Sequence, residues 1–191
     1  MRNKLFLACI AILISAAASA QNQNKFEIGA GYAPFFLMHL DGGLNFTQKY
    51  DAYFEWRHDL GTHFDVGARL DYKVCPMTAY NNGTTLYKGT LHCPALLAVA
   101  DFNFLPGKKV NPFVGVGTGP ALTICGWASK KTLGESGTSQ SPIGKDFGFA
   151  WVASPRVGVE LFEHLRLAAS VDLAFSAEIR NPVCFSIGWV F

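Results

Sequence analysis

Residues 64–73 read Phe-Asp-Val-Gly-Ala-Arg-Leu-Asp-Tyr-Lys. Phe64, Val66, Ala68, Leu70 and Tyr72 are apolar, while Asp65, Gly67, Arg69, Asp71 and Lys73 between them are charged or glycine. A repeat of two belongs to an extended strand whose side chains leave alternately from an oily and a polar face. Immediately upstream, Tyr50, Ala52, Phe54 and Trp56 alternate with Asp51, Tyr53, Glu55 and Arg57. The link through Asp59-Leu60-Gly61-Thr62 is short enough to make the two runs a β-hairpin.

Outward from this hairpin the alternation recurs. Phe26, Ile28, Ala30 and Tyr32 are interleaved with Glu27, Gly29 and Gly31. Leu91 to Phe104 sets Leu96, Ala98, Ala100, Phe102 and Phe104 against Asp101 and Asn103, and the turn Pro106-Gly107-Lys108-Lys109 follows. The next strand places Val114, Val116 and Thr118 opposite Phe113, Gly115, Gly117 and Gly119. Another carries Trp151, Ala153, Val157, Val159 and Leu161 against Ser154, Arg156, Gly158 and Glu160; Pro155 lacks a ladder donor, so a bulge is expected there. A tight link at Glu163-His164 leads to Leu165, Leu167, Ala169, Val171, Leu173 and Phe175, opposed by Arg166, Ser170 and Asp172. The chain ends on Val183, Phe185, Ile187, Trp189 and Phe191. Every charged residue within these runs shares the polar parity of its own strand, which defines the register.

The first 20 residues carry Arg2 and Lys4, an apolar run from Leu5 to Ile14 and a terminal Ala18-Ser19-Ala20. This is the layout of a secretory signal cleaved after Ala20, leaving residues 21–191 as one domain. The run is shorter than the roughly 20 residues that span a bilayer as a helix. Sixteen basic and 14 acidic residues nearly balance, giving no reason to expect nucleic acid as a partner. Half the residues are hydrophobic, yet no later stretch is long enough for a membrane helix, so a membrane role requires strands.

Alternation alone fits a soluble barrel with its oily face inside as well as a membrane barrel with that face outside. Three features choose the second. Aromatics bound the oily face at both ends: Phe26, Trp56, Phe64, Phe104, Trp189 and Phe191 at one, Tyr32, Tyr50, Tyr72, Trp151 and Phe175 at the other. The polar face is rich in glycine, as suits a crowded interior. Connections alternate between short ones and long ones at Leu37 to Lys49, Val74 to Thr90 and Pro120 to Asp146, the habit of outer-membrane barrels with short periplasmic turns. The expectation is an all-β fold: an eight-stranded antiparallel up-and-down transmembrane β-barrel.

The terminal Phe185-Ser186-Ile187-Gly188-Trp189-Val190-Phe191 resembles the signal by which the barrel-assembly machinery takes up outer-membrane proteins. With Gly29-Ala30-Gly31-Tyr32 and Val114-Gly115-Val116-Gly117, the chain is similar over its whole mature length to porin-family outer-membrane β-barrel domain proteins, small barrels of the OmpA/OmpX kind. The resemblance implies a Gram-negative outer membrane, surrounding outer-membrane lipid, and assembly through Phe185, Ile187, Trp189 and Phe191. It specifies architecture and leaves the surface ligand unknown.

No catalytic, cofactor or metal site is expected. His39, His63 and His92 fall at strand ends or in loops, and His58 and His164 in short turns; none forms the His-x-Ser pair of barrel lipid A deacylases. Asp71 with Asp101, or Glu55 with Asp65, has the composition of an acid pair, but carboxylates inside a narrow barrel are better read as partners of the cations beside them. Parity collects Glu27, Glu55, Arg57, Asp65, Arg69, Asp71, Lys73, Asp101, Arg156, Glu160, Arg166 and Asp172 in the lumen as a closed salt-bridged network. Cys75, Cys93, Cys125 and Cys184 lie towards the outer ends, where export through an oxidising compartment permits disulfides in any of three pairings. Function is expected from surface loops, in adhesion, host or partner contact and envelope structure. The alternative is a narrow porin-like channel for small solutes or ions.

Overall fold

A computed structural model of the chain describes residues 24–36, 44–46, 49–81, 85–132, 143–175 and 182–191. Its strands are β1 (Asn24–Phe36), β2 (Leu44–Phe46), β3 (Lys49–Asp59), β4 (Phe64–Asn81), β5 (Thr85–Asn103), β6 (Val110–Thr132), β7 (Ile143–Leu161), β8 (Leu165–Val171), β9 (Leu173–Ala174) and β10 (Pro182–Val190). They form one antiparallel sheet in which β1 pairs with both β3 and β10, so the sheet closes on itself. Because β8 and β9 both pair with β7 along one register, and β2 is a stub on β4, the wall has eight strands. The expected up-and-down barrel is the architecture found. Closure leaves no unpaired edge at membrane depth, which hydrocarbon requires.

Partners followed from Asn24 through His58, Val66, Ala100, Val116 and Pro155, then across β8 and from Val183 to Phe35, return to β1 near its opposite end. That stagger is the signature of strands tilted about 35–45° to the barrel axis. Leu70, Leu96 and Val157 project outward, each exposed over more than half its surface (57%, 55% and 55%). The aromatics expected to bound this band are exposed as well, apart from the half-buried Phe26. An apolar surface this continuous is unstable against water and fits hydrocarbon with interfacial aromatics at its edges. No helix of the described residues is long and apolar enough to cross a membrane.

The short turns close as their residues dictate. Gly61 and Gly107 take φ values of +98° and +71°, a region glycine enters without steric cost. Phe162 and Glu163 also turn left-handed, at φ 54° and 64°, which lets β7 return into β8 within three residues. Inside the wall, a Cβ on Gly29 would lie 2.2 Å from the Tyr53 ring, and one on Gly188 would lie 2.1 Å from a Glu27 carboxylate oxygen. These glycines make the room in which large side chains cross the lumen.

Three expectations are corrected. The stretches 74–90 and 120–146 are largely strand, since β4 and β5 stay paired as far as Asn81 and Thr85, and β6 and β7 as far as Trp127 and Ile143. Oily and polar faces cease to alternate there, so the period that marks the membrane crossing gives no sign of the extension. Pro155 forms no bulge: it stays in register with Val116, and its missing donor falls in a gap between the β7–β8 and β7–β9 ladders. His58 belongs to the end of β3, opposite Val66, instead of to a turn. The signal segment and the expected outer loops at Asp41-Gly42, Asn82-Gly83 and Gly134 to Gly137 lie outside the described residues.

A Cβ on Gly67 would sit 1.8 Å from the Trp56 carbonyl oxygen, a backbone atom that cannot swing aside. Gly67→Ala is therefore expected to destabilise the barrel by about 1–3 kcal/mol, read as a lower midpoint of urea unfolding from detergent micelles.

Candidate functional site

Inward-facing residues of every wall strand meet in the lumen. Among the described residues, eight carboxylates (Glu27, Asp51, Glu55, Asp65, Asp71, Asp101, Glu160, Asp172) and six cations (Lys49, Arg57, Arg69, Lys73, Arg156, Arg166) are buried there. All twelve network residues expected from strand parity are in this set. Lys49 and Asp51 join them; both share the odd parity of Tyr53, Glu55 and Arg57, but Lys49 lies at the edge of a loop, where alternation has just begun.

Arg156 is the hub of the middle layer. Its Nη1 and Nη2 donate to the two Glu55 carboxylate oxygens at 2.6 and 2.8 Å, and its Nε and Nη2 donate to the two Asp101 oxygens, both at 2.8 Å. One planar guanidinium thus grips two carboxylates bidentately, linking β3, β5 and β7. Arg166 approaches from β8, donating to Asp101 and, at 3.4 Å each, to Glu27 and Glu55. Arg57 reaches Glu27 at 3.1 Å, Asp65 at 3.3 Å and Glu160 at 3.4 Å. Tyr53 donates its hydroxyl to Glu27 at 2.6 Å, so the carboxylate excess is partly met by a neutral donor.

Towards the outer mouth Arg69 donates from Nε to Asp71 at 2.6 Å and from Nη2 to Asp51 at 3.3 Å. Asp172 gathers Lys49 at 2.5 Å, Lys73 at 2.8 Å and the Ser154 hydroxyl at 3.0 Å. The guanidinium carbons of Arg69 and Arg166 each lie 3.6 Å from a ring centroid, of Tyr53 and Phe113 respectively. These cation–π contacts cover the faces that no carboxylate reaches. Beside the network, Ala95, Leu97, Val99, Ala121 and Val152 form an apolar cluster on β5 to β7.

Among the described residues the middle layer leaves little space. A cavity of about 10 Å³, the size of one water, lies against Arg69, Leu97, Gly117 and Arg156. At the short-turn end a vestibule of about 240 Å³ opens beside Lys25, Asp59, Asp65, Asn111 and Glu160. The ion network fills the cross-section above it. Its carboxylates are held by cations at close range, and among the described residues the network sets no nucleophile beside a base over open space.

The four expected cysteines carry thiols and no disulfide joins them. Strand register gives the reason. Cys75 and Cys125 both face Leu91, and Cys93 faces Lys73, so no cysteine stands directly opposite another on these neighbouring strands. Diagonal neighbours two residues apart lie about 7–8 Å from each other, beyond disulfide reach. The fourth thiol, Cys184, is buried beside Asp51, 4.0 Å from its carboxylate oxygen. The terminal Phe185, Ile187, Trp189 and Phe191 all face outward from β10 or its end. His39 lies outside the described residues; the other four histidines sit at the rims, away from the network.

No family model matches the chain, and no curated protein matches it. Among solved structures, it is similar to the N-terminal β-barrel domain of Pseudomonas aeruginosa OprF, at 15% identity and a TM-score of 0.43 over 90% of this chain and 100% of that one. It is also similar to Ail, the attachment invasion locus protein of Yersinia pestis, solved with the heparin analogue sucrose octasulfate, at 12% identity and a TM-score of 0.49 over 89% and 100% of the two chains. A third is the outer membrane enzyme PagL, at 11% identity and a TM-score of 0.46 over 86% and 98%. Names as different as these three select no activity, and the lumen has to be read on its own chemistry.

Arg156→Ala takes from Glu55 and Asp101 their bidentate partner and leaves both to single hydrogen bonds from Arg166, and Arg69→Ala leaves Asp71 to Lys73 alone. Each is expected to cost about 3–5 kcal/mol in urea unfolding. Adding Glu55→Gln and Asp101→Asn to Arg156→Ala should recover part of the loss; no recovery would mean that packing, not stranded charge, sets the effect.

Proposed function

We propose that the chain is a non-enzymatic outer-membrane barrel whose lumen is closed and whose work is done by segments held above the membrane: adhesion, host or partner contact, with envelope structure alongside. The observation that carries this reading is a surplus of strand. A tilted transmembrane strand needs about 9–11 residues. β4, β5, β6 and β7 have 18, 19, 23 and 19, against 13, 11 and 9 in β1, β3 and β10. Half the wall therefore continues past the bilayer as a raised sheet, a rigid mount for the segments it joins. Its partners on this reading are outer-membrane lipid, the barrel-assembly machinery acting on Phe185, Ile187, Trp189 and Phe191 during biogenesis, and an unidentified surface ligand.

The described histidines favour a structural role over a catalytic one. Each has Nδ1 tied to a nearby chain or side-chain group: Asn24, the Asn103 carbonyl, Tyr72 and the Val190 carbonyl for His58, His63, His92 and His164. The channel alternative meets the charge network across its path. Purified protein in planar bilayers is expected to give no steady single-channel openings, and reproducible openings would replace this reading with the channel. Replacing residues 133–142 by a short Gly-Ser link should leave heat-modifiable migration intact and abolish binding of intact cells to their target surface. Unchanged binding would remove the segment from the account.

A further inference from the structure

The vestibule at the short-turn end holds more carboxylate than its cations meet, together with a buried amide donor that has no acceptor. Among the described residues, its lining includes the carboxylates Asp59, Asp65, Glu160 and Glu163 and one cation, Lys25. Lys25 spans Asp59 and Asp65 at 3.1 and 3.7 Å. Buried Glu160 has a single contact with a cation, Arg57 Nη1 at 3.4 Å, and that nitrogen is divided with Asp65 at 3.3 Å. Glu163 is exposed in the turn and meets no cation among the described residues. The side of the vestibule formed by Glu160 and Glu163 is therefore short of positive charge.

The neighbouring amides are oriented by a chain of hydrogen bonds that begins on the backbone. The Leu105 N–H can only donate, so the atom it meets at 3.0 Å is Oδ1 of Asn111. Asn111 Nδ2 in turn donates to Oδ1 of Asn103 at 3.0 Å, which leaves Nδ2 of Asn103 as the free end of the chain. Asn103 is 3% exposed, it lines the vestibule, and among the described residues its Nδ2 meets no acceptor. A buried donor of this kind is costly unless something in the cavity accepts from it.

Register puts the two features side by side. Asn111 faces Glu160 across β6 and β7, and Asn103 is bonded to Asn111 from β5. Donor and carboxylate thus stand on strands two apart, roughly 10 Å at the backbone for a spacing of about 4.8 Å. The volume of about 240 Å³ is that of roughly eight waters, room for a short organic molecule. Among the described residues no three carboxylate, thiol or imidazole groups converge closely enough to hold a metal ion, so the spread of the carboxylates suits an organic cation.

We infer that the vestibule binds a small primary ammonium that also carries a carbonyl, as the amino end of a short peptide does. The ammonium lies between Glu160 and Glu163, and the carbonyl accepts from Asn103 Nδ2. An ammonium brings three donors to carboxylates that only accept. A carboxylate on the ligand would be repelled by the same wall, so peptide amides are favoured over free amino acids. A ligand without the carbonyl leaves the Asn103 donor unpaired. The site opens at the short-turn end, away from the raised sheet, and goes beyond the surface role proposed above without depending on it.

Glycylglycinamide is the probe. The barrel, labelled with ¹⁵N, is held in dodecyl maltoside micelles, its fold is checked by heat-modifiable migration, and its amide signals are followed as the probe is added. Saturable shifts of the Asn103 side-chain amide and of the Glu160 and Glu163 backbone signals are expected. Glu163→Gln, a change at an exposed turn position, is expected to weaken binding about two- to fivefold. N-acetylglycylglycinamide, which lacks the ammonium, and butylamine, which lacks the carbonyl, should each bind more weakly than the probe. Equal binding of the acetylated probe would overturn the ammonium site, and equal binding of butylamine would overturn the contact with Asn103. Folded protein without saturable shifts at these three residues would overturn the inference outright, and that comparison needs no variant.

Discussion

The bidentate grip of Arg156 on Glu55 and Asp101 is the contact through which the rest of the barrel has to be consistent. Hydrocarbon outside demands an apolar outer face and a closed ladder, and the pleat then sends every second residue inward. Those residues include more than a dozen charges, packed around Arg156 with a gap no larger than one water beside them. They are tolerable only if the stagger of the strands brings each carboxylate against a cation. A slip of one residue in β7 would turn Arg156 into the lipid and Val157 into the carboxylates. The network and the register therefore select each other. Buried ion pairs add little stability over apolar packing of the same volume, so discrimination between registers is the larger consequence of having them.

Strand parity was legible because a two-residue repeat is local: Asp65, Arg69 and Asp71 announce their common face within a single segment. Pairing between distant segments was not. Nothing near Phe113 marks it as the ring under Arg166, since the contact joins β6 to β8 and exists only once the sheet is staggered and closed. The same holds for Lys49, whose partner Asp172 lies 123 positions away. Parity does place Tyr53 and Phe113 on the polar face, where two aromatics look misplaced. Both lie beneath arginines, which is the chemistry that makes an inward aromatic compatible with a charged lumen.

The outer extensions of β4 to β7 escaped sequence reading for a related reason. Within the bilayer, lipid on one side and lumen on the other impose different chemistry on odd and even positions. Past the headgroups that contrast disappears, and a strand such as Thr85 to Leu91 carries polar residues on both faces. Hydrogen bonding between neighbours persists without any contrast to advertise it. A loop inferred from lost periodicity is thus an upper bound on loop length in a barrel of this kind.

The two ends of the wall meet different demands. At the short-turn end the chain reverses tightly enough to force Phe162 and Glu163 into left-handed φ, and aromatics, histidines and turn lysines lie within a few residues of the apolar band. Position there is set by the tight reversals and by the edge of the apolar band. At the other end the ladders between β4 and β5 and between β6 and β7 carry the chain outward on backbone hydrogen bonds. Those bonds do not depend on side-chain identity, which frees the residues along them to change without disturbing the mount. The ion network beneath holds the wall in register independently of the residues at that end. An ion-paired lumen and strands that run on beyond it are, on this physics, parts of one arrangement: the first supplies the register that the second extends.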